Sequence, residues 1–356
     1  MAGLSEQTRD LDAVHAGLVR WLRGQRGADS AVRVSPFAIN ASSGFSSESL
    51  LFDLAVTSGG VEQVEPMVLR LAPAGGGLFP EYDLGRQARV QNLLADVGIP
   101  AAAPAVHEPD DAWLGTDFLV MPRIAGRLPA DFTYILKGWL KDADEEHQLT
   151  CCESFVDLLV DLHRIDTSGL DLGFLDRPVG RGLAAELEWW SDYLDWAGDG
   201  SPDPVMVDAY RWARDTRPDD DALALTWGDA RFSNAIFDDQ GRVVGALDWE
   251  QAALGPPELD VGFWLATRRQ SREALGLMSD PELPGLLAHD QSIARIEAGL
   301  GRPLRDLAWH ETFAMVRMGT CIAGVQRVLR RSGQDDHLLM SAPLLPGWVV
   351  DEVSGT

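Results

Sequence analysis

The sequence predicts an α+β protein of two lobes, an antiparallel β-rich N-terminal lobe carrying one long helix and a mainly helical C-terminal lobe. Three observations lead there. Strand-like apolar runs crowd the first third of the chain, at residues 32–39, 49–56 and 66–71. From Glu145 onward the apolar spacing is helical almost throughout. At 356 residues the chain exceeds one ordinary domain and has enough core for two.

Taken in order, residues 11–24 form an amphipathic helix, with Leu11, Val14, Leu18, Val19 and Leu22 on one face. Small residues at 40–48 join the first two strands in a turn that can offer backbone N–H groups to a phosphate, or serve only as a hairpin. Arg70 places a cation on the third strand, a position commonly solvated. Gly75-Gly76-Gly77 lacks the Lys-Ser/Thr of a phosphate loop and reads as a flexible connection. Residues 82–97 are helical, striped by Leu84, Ala88, Leu93 and Leu94, and end at Gly98 and Pro100. The apolar run from Phe118 ends at Pro122 and Gly126, which divides the chain into residues 1–122 and 123–356. Further helices are expected from Glu145 to His163 and over 183–196, 205–216, 281–300 and 307–331. His163 reads as a possible base or, more simply, as a helix-end histidine bonded to backbone. The tryptophans of residues 183–196 read as core. Glu258 and Asp260 follow Gly255-Pro256-Pro257, a good helix start with acids at the positive end of the dipole.

Composition excludes several classes. Fifty-five Asp and Glu against 30 Lys and Arg give a formal charge of -25, the wrong sign for nucleic acid or anionic membranes. Cys151, Cys152 and Cys321 offer neither a disulfide framework nor zinc spacing. The N-terminal residues have neither the basic nor the apolar stretch of a signal peptide, and no apolar run reaches membrane-spanning length. A cytoplasmic location is the expectation.

The stretch that carries chemistry is Leu225 to Glu250. Residues 235–237 and 243–247 are strand-like, and Asp238-Asp239-Gln240-Gly241 is turn chemistry. So short a turn makes the strands antiparallel, which brings Asn234 beside Asp248 with Asp229 on the loop just before. Two carboxylates and an amide gathered there suit a hard cation and proton abstraction, or else a polar-capped hairpin.

With Trp227-Gly228-Asp229, Asn234 five residues on, and Leu247-Asp248-Trp249-Glu250, the chain resembles the aminoglycoside phosphotransferase family. That family has a protein-kinase-like fold and includes choline-kinase-like enzymes. The resemblance extends from Ser43-Gly44-Phe45-Ser46-Ser47-Glu48 to Gly255-Pro256-Pro257-Glu258-Leu259-Asp260. It implies transfer of the γ-phosphoryl group of ATP or GTP to a hydroxyl of a small substrate. In that scheme Asp229 accepts the hydroxyl proton, while Asn234 and Asp248 hold magnesium. Ser43, Ser46 and Ser47 would cover the phosphates, Arg70 would steady them, and backbone around Met121, Arg123 and Ile124 would bind adenine. Three positions depart from the family pattern: Trp227 stands for histidine, Arg70 for lysine, and Gln87 for the helix glutamate that pairs with that lysine. Arginine keeps the charge but offers a fork rather than a point, and a neutral amide forms no ion pair. The departures at Arg70 and Gln87 keep a second expectation open, a nucleotide-binding regulatory module without transfer activity.

Overall fold

The computed structural model describes residues 9–26, 31–39, 48–73, 76–220, 222–276 and 282–355. They divide into two compact units. One spans Met1–Leu93, Ala102–Arg123 and Gly324–Met340, the other Leu94–Ala101, Ile124–Ala323 and Ser341–Thr356.

The first unit is a sheet with helices. It contains α1 (Leu11–Arg26), β1 (Ala31–Val34), β2 (Ala38–Ile39), β3 (Glu48–Ser58), β4 (Val61–Leu71), most of α2 (Leu84–Asp96), β5 (Val106–Glu108) and β6 (Phe118–Pro122). All pairings are antiparallel, in the order β1-β3-β4-β6-β5, with β2 also on β3. The strands β3 and β4 are longer than the sequence predicts because Gly59 and Gly60 turn the chain in two residues. Both have positive φ, 60° and 80°, the geometry whose twist matches paired strands. Val14, Leu18, Trp21 and Leu22 of α1 pack on Leu50, Phe52, Leu54, Leu69 and Phe118. Trp21 meets Phe118 edge-to-face at 5.1 Å and donates its indole N–H to Glu108 at 2.8 Å.

The second unit is mainly helical. It holds α3 (Trp139–Asp142), α4 (Glu145–His163), α5 (Leu183–Ala197), α6 (Pro204–Asp215), β7 (Ala224–Thr226), β8 (Ala235–Phe237), β9 (Val243–Ala246), β10 (Ala253–Gly255), α7 (Glu258–Ala274), α8 (His289–Leu300), α9 (Leu307–Arg331) up to Ala323, and α10 (Gly347–Ser354). The predicted helix over 281–300 forms only from His289; residues 282–288 are not helical. Phe155 of α4 is its aromatic centre, 5.0 Å from Phe232, 5.4 Å from Trp264 and 6.0 Å from Trp227. No helix among the described residues is long and apolar enough to cross a membrane.

His310 of α9 is 1% exposed, and its Nδ1 has no hydrogen-bond partner among the described residues. Burial pushes its pKa down to about 4 against the pull of Glu258, Asp220 and Asp306. The unfolded chain takes up this proton near the ordinary value of 6.5, the folded chain only near 4. The neutral ring is therefore cost-free above pH 6.5, and stability falls as pH drops from 6.5 toward 4. The span is worth about 3 kcal/mol. Denaturant midpoints measured across that window should fall less steeply in His310→Gln than in the wild type.

Candidate active site

The hairpin forms as the sequence predicts. Ala235 pairs with Ala246, and Leu247 N–H donates to the Asn234 carbonyl at 2.8 Å. Asn234 therefore lies opposite the residue that precedes Asp248. The Asn234 amide nitrogen donates to Asp229 Oδ2 at 2.8 Å and to the Asp229 carbonyl at 3.0 Å. With its nitrogen committed, the amide oxygen is the atom left to face a cation. Asp248 sits at φ 58° and ψ 62°, left-handed backbone that a non-glycine residue rarely adopts. Strain of that kind persists where surrounding structure enforces it, and here it re-aims the chain at the end of β9.

The loop bearing Asp229 is anchored from beneath. Asp260, in the first turn of α7, is fully buried. Its Oδ2 accepts from Trp227 N–H and its Oδ1 from Gly228 N–H, both at 2.7 Å. His163, at the end of α4, donates Nε2 to Asp260 Oδ2 at 2.9 Å. The histidine is thus neither a base nor bonded to backbone; its partner is a carboxylate 97 residues away. Gly228 has φ 86°, and a Cβ there would stand 2.5 Å from the Gln251 carbonyl oxygen, so no side chain fits. Trp227 is fully buried, stacks on Trp249 at 5.2 Å and donates Nε1 to the Leu247 carbonyl at 2.7 Å.

Asp229 is 8% exposed. Burial raises its pKa above the ordinary carboxylate value; Arg231 opposes that rise, Asp248 adds to it, and the Asn234 hydrogen bond lowers it. Arg231 Nε lies 3.0 Å from Asp229 Oδ1, and its Nη1 donates to Asp131 Oδ1 at 2.6 Å. Ser233 also donates to Asp131, at 2.9 Å. Arg231, Asp131 and Asp260 were not singled out as site residues from the sequence. Position two after Asp229 was the available signal for Arg231, since a buried carboxylate that must stay ionised needs a cation close by.

A carboxylate and an amide oxygen are hard donors suited to magnesium, which takes few protein ligands and completes its shell with phosphates and water. Among the described residues there is no cluster of three or more His, Cys, Asp or Glu that could hold a metal ion. Of the nucleotide-binding expectations, Ser43, Ser46 and Ser47 lie outside the described residues. Arg70 is 5% exposed rather than on a solvated face, and Gln87 is 3% exposed. Met121 lies in β6 opposite Val68 of β4, and Arg123 donates its backbone N–H to the Pro66 carbonyl at 2.9 Å. Ile124 packs where a Cβ on Gly245 would stand, 2.6 Å from its Cδ1.

Two outcomes are expected. Replacing Asp260 with Ala leaves two buried N–H groups and His163 without their acceptor and should cost about 3–5 kcal/mol in denaturant unfolding. Replacing Arg231 with Met removes the cation that favours ionised Asp229, so the acid limb of any Asp229-dependent turnover should move to higher pH. An unmoved limb would show that Arg231 does not control this carboxylate.

Comparison with known proteins places the fold and the family. The chain is 30% identical over 198 residues to acyl-CoA dehydrogenase family member 11 of Gallus gallus, a match covering 55% of this chain and 24% of that protein. It is 27% identical over 198 residues to acyl-CoA dehydrogenase family member 10 of Mus musculus, covering 55% and 18%. The chain thus spans about a quarter or less of these relatives. Among solved structures it is similar to a candidate aminoglycoside phosphotransferase of Ralstonia eutropha, with TM-score 0.65, 20% identity, and 96% of this chain and 98% of that one covered. Macrolide 2'-phosphotransferase type I gives TM-score 0.56 at 17% identity, covering 97% and 96%. These likenesses establish a kinase-like phosphotransferase fold. A model described as the phosphotransferase enzyme family, APH, matches residues 42–286, more than half of the sequence, and the chain belongs to that family.

Proposed function

We propose that the protein transfers the γ-phosphoryl group of ATP or GTP to an alcohol of a small molecule. The observation that carries this is the single constellation of Asp229, Asn234 and Asp248. The Asn234 side chain bonds Asp229 while its backbone pairs with the residue before Asp248. Asp229 accepts the proton of the attacking hydroxyl, and Arg231 opposes the rise in its pKa that burial causes. Asn234 and Asp248 are the residues that would hold magnesium, which would supply positive charge to offset that of the transferring phosphoryl group. Arg70 steadies the nucleotide phosphates, Ser43, Ser46 and Ser47 cover them, and backbone at Met121, Arg123 and Ile124 receives the base.

Arg70 and Gln87 favour a second reading, a nucleotide-binding module without transfer, because the usual cation–carboxylate pair is not possible between them. Against it, the proton acceptor and both metal-ligand positions are intact. Acceptor identity is open among hydroxyl compounds. The curated relatives are named acyl-CoA dehydrogenases, so a hydroxylated acyl thioester belongs in the acceptor panel beside aminoglycosides and macrolides. The absence of disulfide spacing supports a reducing, cytoplasmic setting.

The test is phosphoryl transfer measured by ADP or GDP release and product mass across that panel. Asp229→Asn should lower kcat by about 10²- to 10⁴-fold. Asp248→Asn should raise the magnesium concentration needed for half-maximal rate. Wild-type turnover that survives Asp229→Asn would overturn the reading; nucleotide binding without any product would favour the regulatory module.

A further inference from the structure

Behind the loop bearing Asp229 lies a second buried cation, in addition to Arg231. Arg317 of α9 is 2% exposed. Its Nη2 donates to the Gly228 carbonyl at 2.5 Å and to Gln251 Oε1 at 3.2 Å. The guanidinium carbon stands 4.9 Å from the Trp190 ring centre and 5.3 Å from that of Phe263. No described carboxylate forms an ion pair with it, and its Nε has no hydrogen-bond partner among the described residues. The neighbouring acid Glu186 is committed to Arg177, which it binds through both oxygens at 2.5 and 3.1 Å.

A buried guanidinium that feels Glu186, Asp260 and Asp229 only through space, with its direct contacts going to carbonyl oxygens and ring faces, is a costly way to stabilise a fold. What its two hydrogen bonds share is location. The Gly228 carbonyl belongs to the peptide bond that leads into Asp229. The amide of the same glycine is held by Asp260 at 2.7 Å. Gly228 is therefore gripped at its N–H by a carboxylate and at its carbonyl by a guanidinium, so that both peptide planes flanking its Cα are held. Gln251 ends the 3₁₀ turn Trp249–Gln251 that follows directly on Asp248. Arg177 reaches the Gln251 carbonyl as well, at 3.5 Å.

We propose that Arg317 is a positioning residue that ties the peptide entering Asp229 to the turn leaving Asp248, and so sets the distance between proton acceptor and metal ligand. The kinetic part of this inference rests on the phosphoryl-transfer reading above. Arg317→Met should lower kcat by about 10- to 100-fold, the worth of a hydrogen bond to a charged group, with KM for nucleotide and acceptor moving less than about threefold. Arg317→Lys should recover part of kcat, because an ammonium can reach one carbonyl but cannot span both partners. Gln251→Leu should lose about tenfold with Arg317 intact. Hydrogen–deuterium exchange of the peptide covering residues 225–234 should rise in all three variants, without need of turnover.

Arg317→Met with wild-type kcat and wild-type exchange would overturn the proposal. Should that variant fail to fold, Arg317→Lys and Gln251→Leu carry the test, and wild-type kcat and exchange in both would overturn it equally. A wild-type chain that transfers no phosphoryl group overturns the kinase reading instead, and the exchange measurement then decides the anchoring by itself.

Discussion

Everything at the site depends on the buried carboxylate of Asp260. A carboxyl group with no exposure is tolerable only when its lone pairs are filled, and three donors fill them: the amides of Trp227 and Gly228 and the imidazole of His163. The position helps, because the first turn of α7 lies at the positive end of its dipole. The consequence is geometric. Two successive amides pointing at one carboxylate fix the chain direction immediately before Asp229, and the left-handed Gly228 supplies the only backbone that turns there without striking Gln251.

The second constraint is electrostatic. A chain of formal charge -25 has gathered Asp229, Asp248, Asp260 and Glu186 into one region of a single unit. The arginines of the same region offset this: Arg231 on Asp229, Arg177 on Glu186, and Arg317 on the carbonyl of Gly228. Arginine suits all three places because its charge survives burial and its planar fork contacts two acceptors or an aromatic face together. Arg177 does both, binding Glu186 and lying 4.0 Å from the ring centre of Trp189. The surface acidity therefore says little about the site, whose local balance is set by cations that composition hides.

What could be read from the sequence was what is local in it. The β8–β9 hairpin, and with it the pairing of Asn234 with Leu247, the residue before Asp248, follows from turn chemistry within a dozen residues. The helix over Leu307–Arg331 follows from an uninterrupted periodic stretch, and its bounds agree with the expectation. The long β3–β4 pairing was shortened in the reading because the exposed tip, with Glu62, Gln63 and Glu65, carries no apolar alternation. Residues 282–288 form no helix: Pro284 and Gly285 interrupt the periodic stretch, and the Gly285 N–H is taken by the Gln148 side chain at 3.0 Å. The partner of His163 is the carboxylate of Asp260, 97 residues away at a helix start that by local pattern is self-sufficient. Long-range polar pairs leave no periodic trace.

Trp227 shows what a departure from a family pattern does physically. Histidine, which the resemblance leads one to expect there, could donate one hydrogen bond from its ring and would titrate near neutrality. Indole donates one hydrogen bond and never titrates. Here that bond runs to the carbonyl of Leu247, one residue before Asp248, while the ring face stacks on Trp249, one residue after it. The loop of Asp229 and the strand of Asp248 are thus joined by a donor indifferent to pH and by apolar contact that a histidine is too small to reproduce. The substitution preserves the link that places the two carboxylates and removes a protonation event from it. The titratable group that this indole bond flanks on the loop side is Asp229, whose carboxylate is held by Asn234 and Arg231.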